Sequence, residues 1–276
     1  MHIEEHLWLN EATGRRHRTG CLPAKHAGKL RSVRDAQPQM PVLSRDEIVA
    51  KLQSLGGSFC LPFQGPCYNQ GGYNWCWDFS TCQMVKACCG ILFNDWSDID
   101  PSMGAGLCDN FANTGDSIDA VLTEVLQPVG ICKAKFIGSD PYGPAIVQPQ
   151  SAWPAGWQAE AAKRKAVESV TAPDFLTLAS GILDGHPGEL GVNWQGGGHA
   201  IGCLEIGLTP SGGLYMATPG TWGDDFTSGW GAYGPAKPGW YKLSEDQCAA
   251  AWEGRSPFGA YLLVGMTDQE AGLPAG

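Results

Sequence analysis

The stretch Gln70-Gly-Gly-Tyr-Asn-Trp-Cys76-Trp-Asp-Phe-Ser80 constrains the chain more than any other. From Cys76 onward, Cys82, Val85, Cys89 and Leu92 recur at steps of three, four and three, which predicts an apolar stripe on a helix that opens at Cys76. A thiol at a helix N-terminus meets the positive end of the macrodipole, which favours its thiolate. Six residues earlier, Gln70 offers an amide donor able to hold the oxyanion of a tetrahedral intermediate. Together they supply two parts of an acyl-transfer site with a cysteine nucleophile. Cys82, Cys88 and Cys89 read as small core residues, since free cysteine is among the most buried types.

Composition narrows what can surround this helix. At 276 residues the chain can form one large domain or two small ones. Only 17% of residues are charged, while Gly (38), Pro (19) and Trp (11) are plentiful, which suits a compact, loop-rich protein. The net charge of −10 argues against nucleic acid as the main partner. Residues 1–45 nevertheless contain eight Lys/Arg and four Asp/Glu, against ten and twenty-four in the remainder. This reads as a basic irregular arm on an acidic body, and such an arm would dock on an acidic neighbouring subunit. No apolar run approaches the ~18 residues that span a bilayer, so no membrane partner is expected. The start, Met-His-Ile-Glu-Glu-His-Leu-Trp, lacks the basic and apolar regions of a secretory signal, which predicts synthesis in the cytoplasm. The eleven cysteines include no C-x-x-C pair, so neither structural zinc nor another cofactor is expected. The odd count fits one free thiol beside pairs or eleven reduced thiols.

Along the chain, Ser44-Arg-Asp-Glu47 forms a capping box ahead of a short helix with Ile48, Leu52 and Leu55 on one face, ended by Gly56-Gly57. Residues 58–75 read as loop. Further helices are predicted over 116–127, with Ile118, Val121, Leu122 and Val125 inward, over 159–170, and from the cap Asp174 to Leu183. The second half changes texture. Runs at 199–206, 213–218, 240–243 and 259–266, separated by Gly/Pro turns, predict antiparallel sheet, and the whole reads as α+β.

A cysteine nucleophile needs a base from elsewhere in the chain. His2, His6, His17 and His26 lie in the arm, and His186 sits in the turn Asp-Gly-His-Pro-Gly, where it reads as solvent-exposed. His199 follows three glycines and starts an apolar strand, where backbone can approach closely. The chain resembles the papain-like cysteine peptidases. Gln70-x5-Cys76-Trp77-x-Phe79-Ser80 is similar to that family's glutamine and nucleophile block, and Gly198-His199-Ala200 to its histidine block. Tyr215 to Trp222-Gly223 resembles the strand that ends in Asn-Ser-Trp-Gly, and Trp230-Gly231 and Gly239-Trp240-Tyr241 resemble the family's next Trp-Gly and Gly-Tyr positions. The resemblance covers about 46–266.

It implies a papain-like two-lobe α+β domain over 46–276. A helical lobe at about 46–170 would hold the central helix, and an antiparallel β-barrel-like lobe would span about 171–276. It also implies roles: Cys76 as attacking thiolate, His199 as its imidazolium partner, Gln70 at the oxyanion, Trp222 shielding the imidazole, and a peptide or protein substrate. The departures are specific. The histidine-orienting asparagine falls on Gly220, leaving Ser228, Thr218 and Asp224 as substitutes for an unassigned third residue. Tyr73 stands where many members have a cysteine, bulky Trp75 precedes the nucleophile, and Asp78 adds negative charge within a turn of it. Thr114-Gly115-Asp116 is the nearest match to the family's substrate-strand glycines. These departures sustain a second reading, a catalytically weak or inactive papain-fold component of a larger assembly such as a virus particle. A peptidoglycan-cleaving Cys/His hydrolase is a third, since His199-Ala-Ile-Gly also suits that class.

Overall fold

The computed structural model describes residues 40–143, 147–194, 197–225, 233–253 and 259–267, and the backbone of β1 (Leu7–Asn10) and β2 (Arg15–Arg18), which pair antiparallel. The rest of the basic arm, together with Ser228 and Trp230-Gly231, lies outside the described residues.

Helix α1 (Arg45–Ser54) begins at the capping box: the Ser44 hydroxyl accepts from the Glu47 amide, and the Ser44 amide donates to Glu47 Oε2 at 2.8 Å. Ile48 and Leu52 are buried, while Leu55, assigned to the same face, is the exposed C-cap. The amides of Gly56 and Gly57 donate to Gln53 and Leu52, closing the helix with left-handed glycines (φ 85° and 102°).

Helix α2 (Cys76–Phe93) is the axis of the molecule. Every residue from Cys76 to Gly90 is buried, so the predicted stripe is a helix enclosed on all sides. Trp77, Phe79 and Val85 join one core with Tyr68, Ile118 and Val121; Met84 and Ala87 join a second with Ile48, Ile201 and Leu262. Asn94, left-handed at φ 59°, ends it. The short helix α3 (Ser102–Leu107) lies beside its first turns, and α4 (Ile118–Ala120) runs on as a π-helical segment, Val121–Leu126, burying the four predicted inward residues.

The helix expected over 159–170 is replaced by a short helix, Trp157–Ala161, and by strand β4 (Ala166–Thr171). Pairing of β4 with β10 (Ala260–Met266) overrides the helix-favouring composition of this stretch. Helix α5 (Phe175–Leu183) starts where Asp174 accepts the Thr177 amide at 2.7 Å. His186 is buried rather than exposed, with its amide bonded to Gly181 and its ring 3.4 Å from Asp184.

The strands form two four-stranded antiparallel sheets, ordered β4-β10-β5-β6 and β3-β7-β8-β9. Here β3 is Ser58–Cys60, β5 Gly188–Trp194, β6 Gly197–Cys203, β7 Glu205–Leu208, β8 Leu214–Pro219 and β9 Trp240–Ser244. Strand β3 falls in a segment expected as loop, and β5 was hidden by its glycines. The chain passes from one sheet to the other at Leu204, between β6 and β7. The sheets are therefore open rather than a closed barrel. A side chain at Gly202 would collide with Met84, so glycine lets β6 lie directly against α2. This contact carries His199 toward the head of the helix.

Candidate active site

Cys76 is the first residue of α2, and the preceding Trp75 supplies no side-chain cap. The Cys76 and Trp77 amides are thus available to the thiol, and Sγ also accepts the Ala200 N–H of β6 at 3.4 Å. Burial pushes the Cys76 thiol up to about 11, against the backbone N–H groups of Ala200 and Trp77, which favour its thiolate. His199 is 4% exposed, and burial pushes its imidazole down to about 3. Each group alone therefore resists ionisation. Moving one proton from Cys76 to His199 creates both charges together, beside the amides that stabilise the thiolate.

Trp222 stacks on the His199 ring, with centroids 4.5 Å apart and planes 12° from parallel. An isolated β-bridge between Asn69 and Trp222 ties that indole to the segment leading into Gln70. The Gln70 amide N–H donates to the Thr221 carbonyl at 2.7 Å. Its side-chain oxygen accepts from the Thr221 hydroxyl, and Nε2 donates to the Tyr73 carbonyl at 2.7 Å, leaving one amide hydrogen uncommitted by these bonds. Gln70, Cys76, His199 and Trp222 all line one groove of about 720 Å³. Thr114-Gly115-Asp116 lines it too, near the loop before α2: Asn113 accepts from the Asn74 amide at 2.6 Å.

Solved structures of similar shape are cysteine proteases. Xylellain from Xylella fastidiosa matches with a TM-score of 0.56 at 16% identity, over 80% of this chain and 89% of its own. The bromelain protease from Ananas comosus matches at 0.51 and 12% identity, over 78% and 96%. The proform of Amb a 11, a ragweed pollen allergen, matches at 0.53 and 11%, over 87% and 86%. The fold is papain-like. No protein-family model and no curated protein matches the sequence.

On this papain-like frame the departures resolve differently from expectation. Bulky Trp75 is buried, its indole N–H donates to Asp109 at 3.1 Å, and Tyr73 stacks on it at 4.4 Å and lines the groove. Asp78 packs against Gly104, accepts the Ala105 amide at 2.9 Å, and burial pushes its carboxyl well above the usual carboxylate range. The acidic group that raises the Cys76 thiol is Glu189 of β5, which sequence reasoning missed. Fully buried, it accepts from the hydroxyls of Ser80 and Thr81 in α2 and is pushed up to about 8 by desolvation.

Of the substitutes for a third residue, Asp224 accepts the Cys67 amide at 2.9 Å, and the Thr218 hydroxyl is buried with no hydrogen-bond partner among the described residues. The side chain at His199 Nε2 is Tyr241 of β9, whose hydroxyl lies 3.4 Å away. Its place in Gly239-Trp240-Tyr241 was visible in the sequence, but the pairing that aims it was not. Among the described residues no group of His, Cys, Asp and Glu could hold a metal ion, and no helix is long and apolar enough to cross a membrane. Cys60, Cys67, Cys76, Cys82, Cys108, Cys132, Cys203 and Cys248 are free thiols.

Proposed function

We propose that this chain is a papain-like cysteine peptidase that hydrolyses peptide or amide bonds. The observation that carries the reading is the convergence of Gln70, Cys76, His199 and Trp222 on one groove at the head of a buried helix. His199 takes the Cys76 proton, and the thiolate attacks the scissile carbonyl. The developing oxyanion is held by the Gln70 amide and the Cys76 N–H, and the imidazolium protonates the leaving amine. Water then attacks the acyl-enzyme with His199 as base, releasing the acid and restoring the thiol.

The burial that pushes Cys76 and His199 toward their neutral forms favours the second reading, a weak or inactive component of a larger assembly docked through the basic arm. One experiment separates the two. Hydrolysis of a mixed peptide library should be detectable in the native chain and lost in both Cys76→Ala and His199→Ala. Turnover equal in the native chain and both variants would refute the peptidase reading, and turnover of cell-wall peptides alone would transfer the site to peptidoglycan.

A further inference from the structure

The position expected to hold an asparagine is Gly220, and the space there is taken. A Cβ on Gly220 would lie 2.6 Å from the Gly239 carbonyl and 3.0 Å from the Tyr241 ring. Residue 220 can therefore carry no side chain while Tyr241 occupies the site. The β8–β9 register pairs Thr218 with Tyr241, which sets the phenol beneath Gly220 and Thr221 with its hydroxyl at His199. The loss at one strand and the gain at the next are one exchange.

The Tyr73 carbonyl can only accept, which commits Gln70 Nε2 to it and turns Gln70 Oε1 toward the Thr221 hydroxyl. The Tyr241 hydroxyl lies 3.4 Å from His199 Nε2, and the phenol packs edge-on against the imidazole with ring centroids 5.9 Å apart. The His199 ring is thus held between Trp222 on its face and Tyr241 at its edge.

We propose that Tyr241 is the positioning residue of the site, fixing the His199 ring through its hydroxyl at Nε2. The proposal rests on the peptidase reading and deepens it: the phenol does the work expected of a side chain at residue 220. The titratable groups around it are Cys76 and Glu189, from α2 and β5, and Cys67, which lies near the phenol.

The test is Tyr241→Phe, which keeps the ring and its packing and deletes only the hydroxyl. Cys76 alkylation by iodoacetamide is followed by mass spectrometry across pH, with imidazole nitrogen shifts of His199 as a second readout. At neutral pH the rate should fall roughly tenfold, the worth of one hydrogen bond, and both the pH profile and the His199 tautomer populations should shift. Fast native labelling with unchanged profile and tautomer in Tyr241→Phe would overturn the proposal alone. Native Cys76 labelling no faster than Cys60 would overturn the peptidase reading beneath it.

Discussion

The central helix buries charge in two ways. At its middle, Lys86 is 2% exposed, yet its ammonium donates to Asp98 at 2.7 Å and Tyr142 at 2.9 Å, with the rings of Phe63, Tyr68 and Tyr142 5.4 to 5.7 Å away. That cation is compensated on every side, a structural arrangement. At the head, Cys76, His199 and Glu189 are equally buried, but burial drives each toward neutrality. Compensation is withheld there until a proton moves from Cys76 to His199, the step the peptidase reading requires.

The sharpest break of this comparison is Cys76→Ala. Turnover should fall at least about 10³-fold, while stability changes by less than about 1 kcal/mol, because a small neutral group is exchanged for another. Gln70→Ala should lower kcat by about 10²-fold with little change in KM, read by steady-state kinetics. Lys86→Met should act oppositely. Losing one partner of the pair should cost about 2 to 3 kcal/mol, the lower end applying because Asp98 is about a third exposed. Its chemical denaturation midpoint should drop, while the Cys76 labelling rate of the folded fraction stays unchanged.

A further effect is pH-linked and belongs to Glu189. Its carboxyl is raised from 4.5 to about 8, so the folded chain binds more protons than the unfolded one in that window, and its contribution to stability falls as pH rises through it. His199 has the opposite sign: its lowered value costs stability as pH falls from 6.5 toward about 3. Comparing native chain with Glu189→Gln isolates the first term. The difference should shift in favour of the variant by at most about 1.4 kcal/mol per pH unit between pH 4.5 and 8. A difference flat across that window would contradict the buried, protonated carboxyl.

What was legible in the sequence was whatever local pattern carries. The capping box at Ser44, the helix opening at Cys76 and the strand at His199 each announce themselves within a few residues. Strand β4 did not, because Ala159 to Lys165 is helix-favouring and only pairing with β10 turns Ala166–Thr171 into a strand. The surroundings of Trp75 and Asp78 were hidden for the same reason: their partners, Asp109 and the Ala105 amide, are 34 and 27 residues away. Tyr241 required the register of β8 on β9 and the close approach of its ring to Gly220, neither of which spacing reveals.

The most direct measurement is the rate at which iodoacetamide or a thiol-reactive epoxide modifies each cysteine of the native chain at pH 6. An ordinary thiol is almost wholly protonated there. Cys76, though 7% exposed, should be modified faster than the exposed Cys60, and His199→Ala should abolish the advantage. Modification of Cys60 ahead of Cys76, or a Cys76 rate indifferent to His199, would contradict a thiolate–imidazolium pair at the head of the helix.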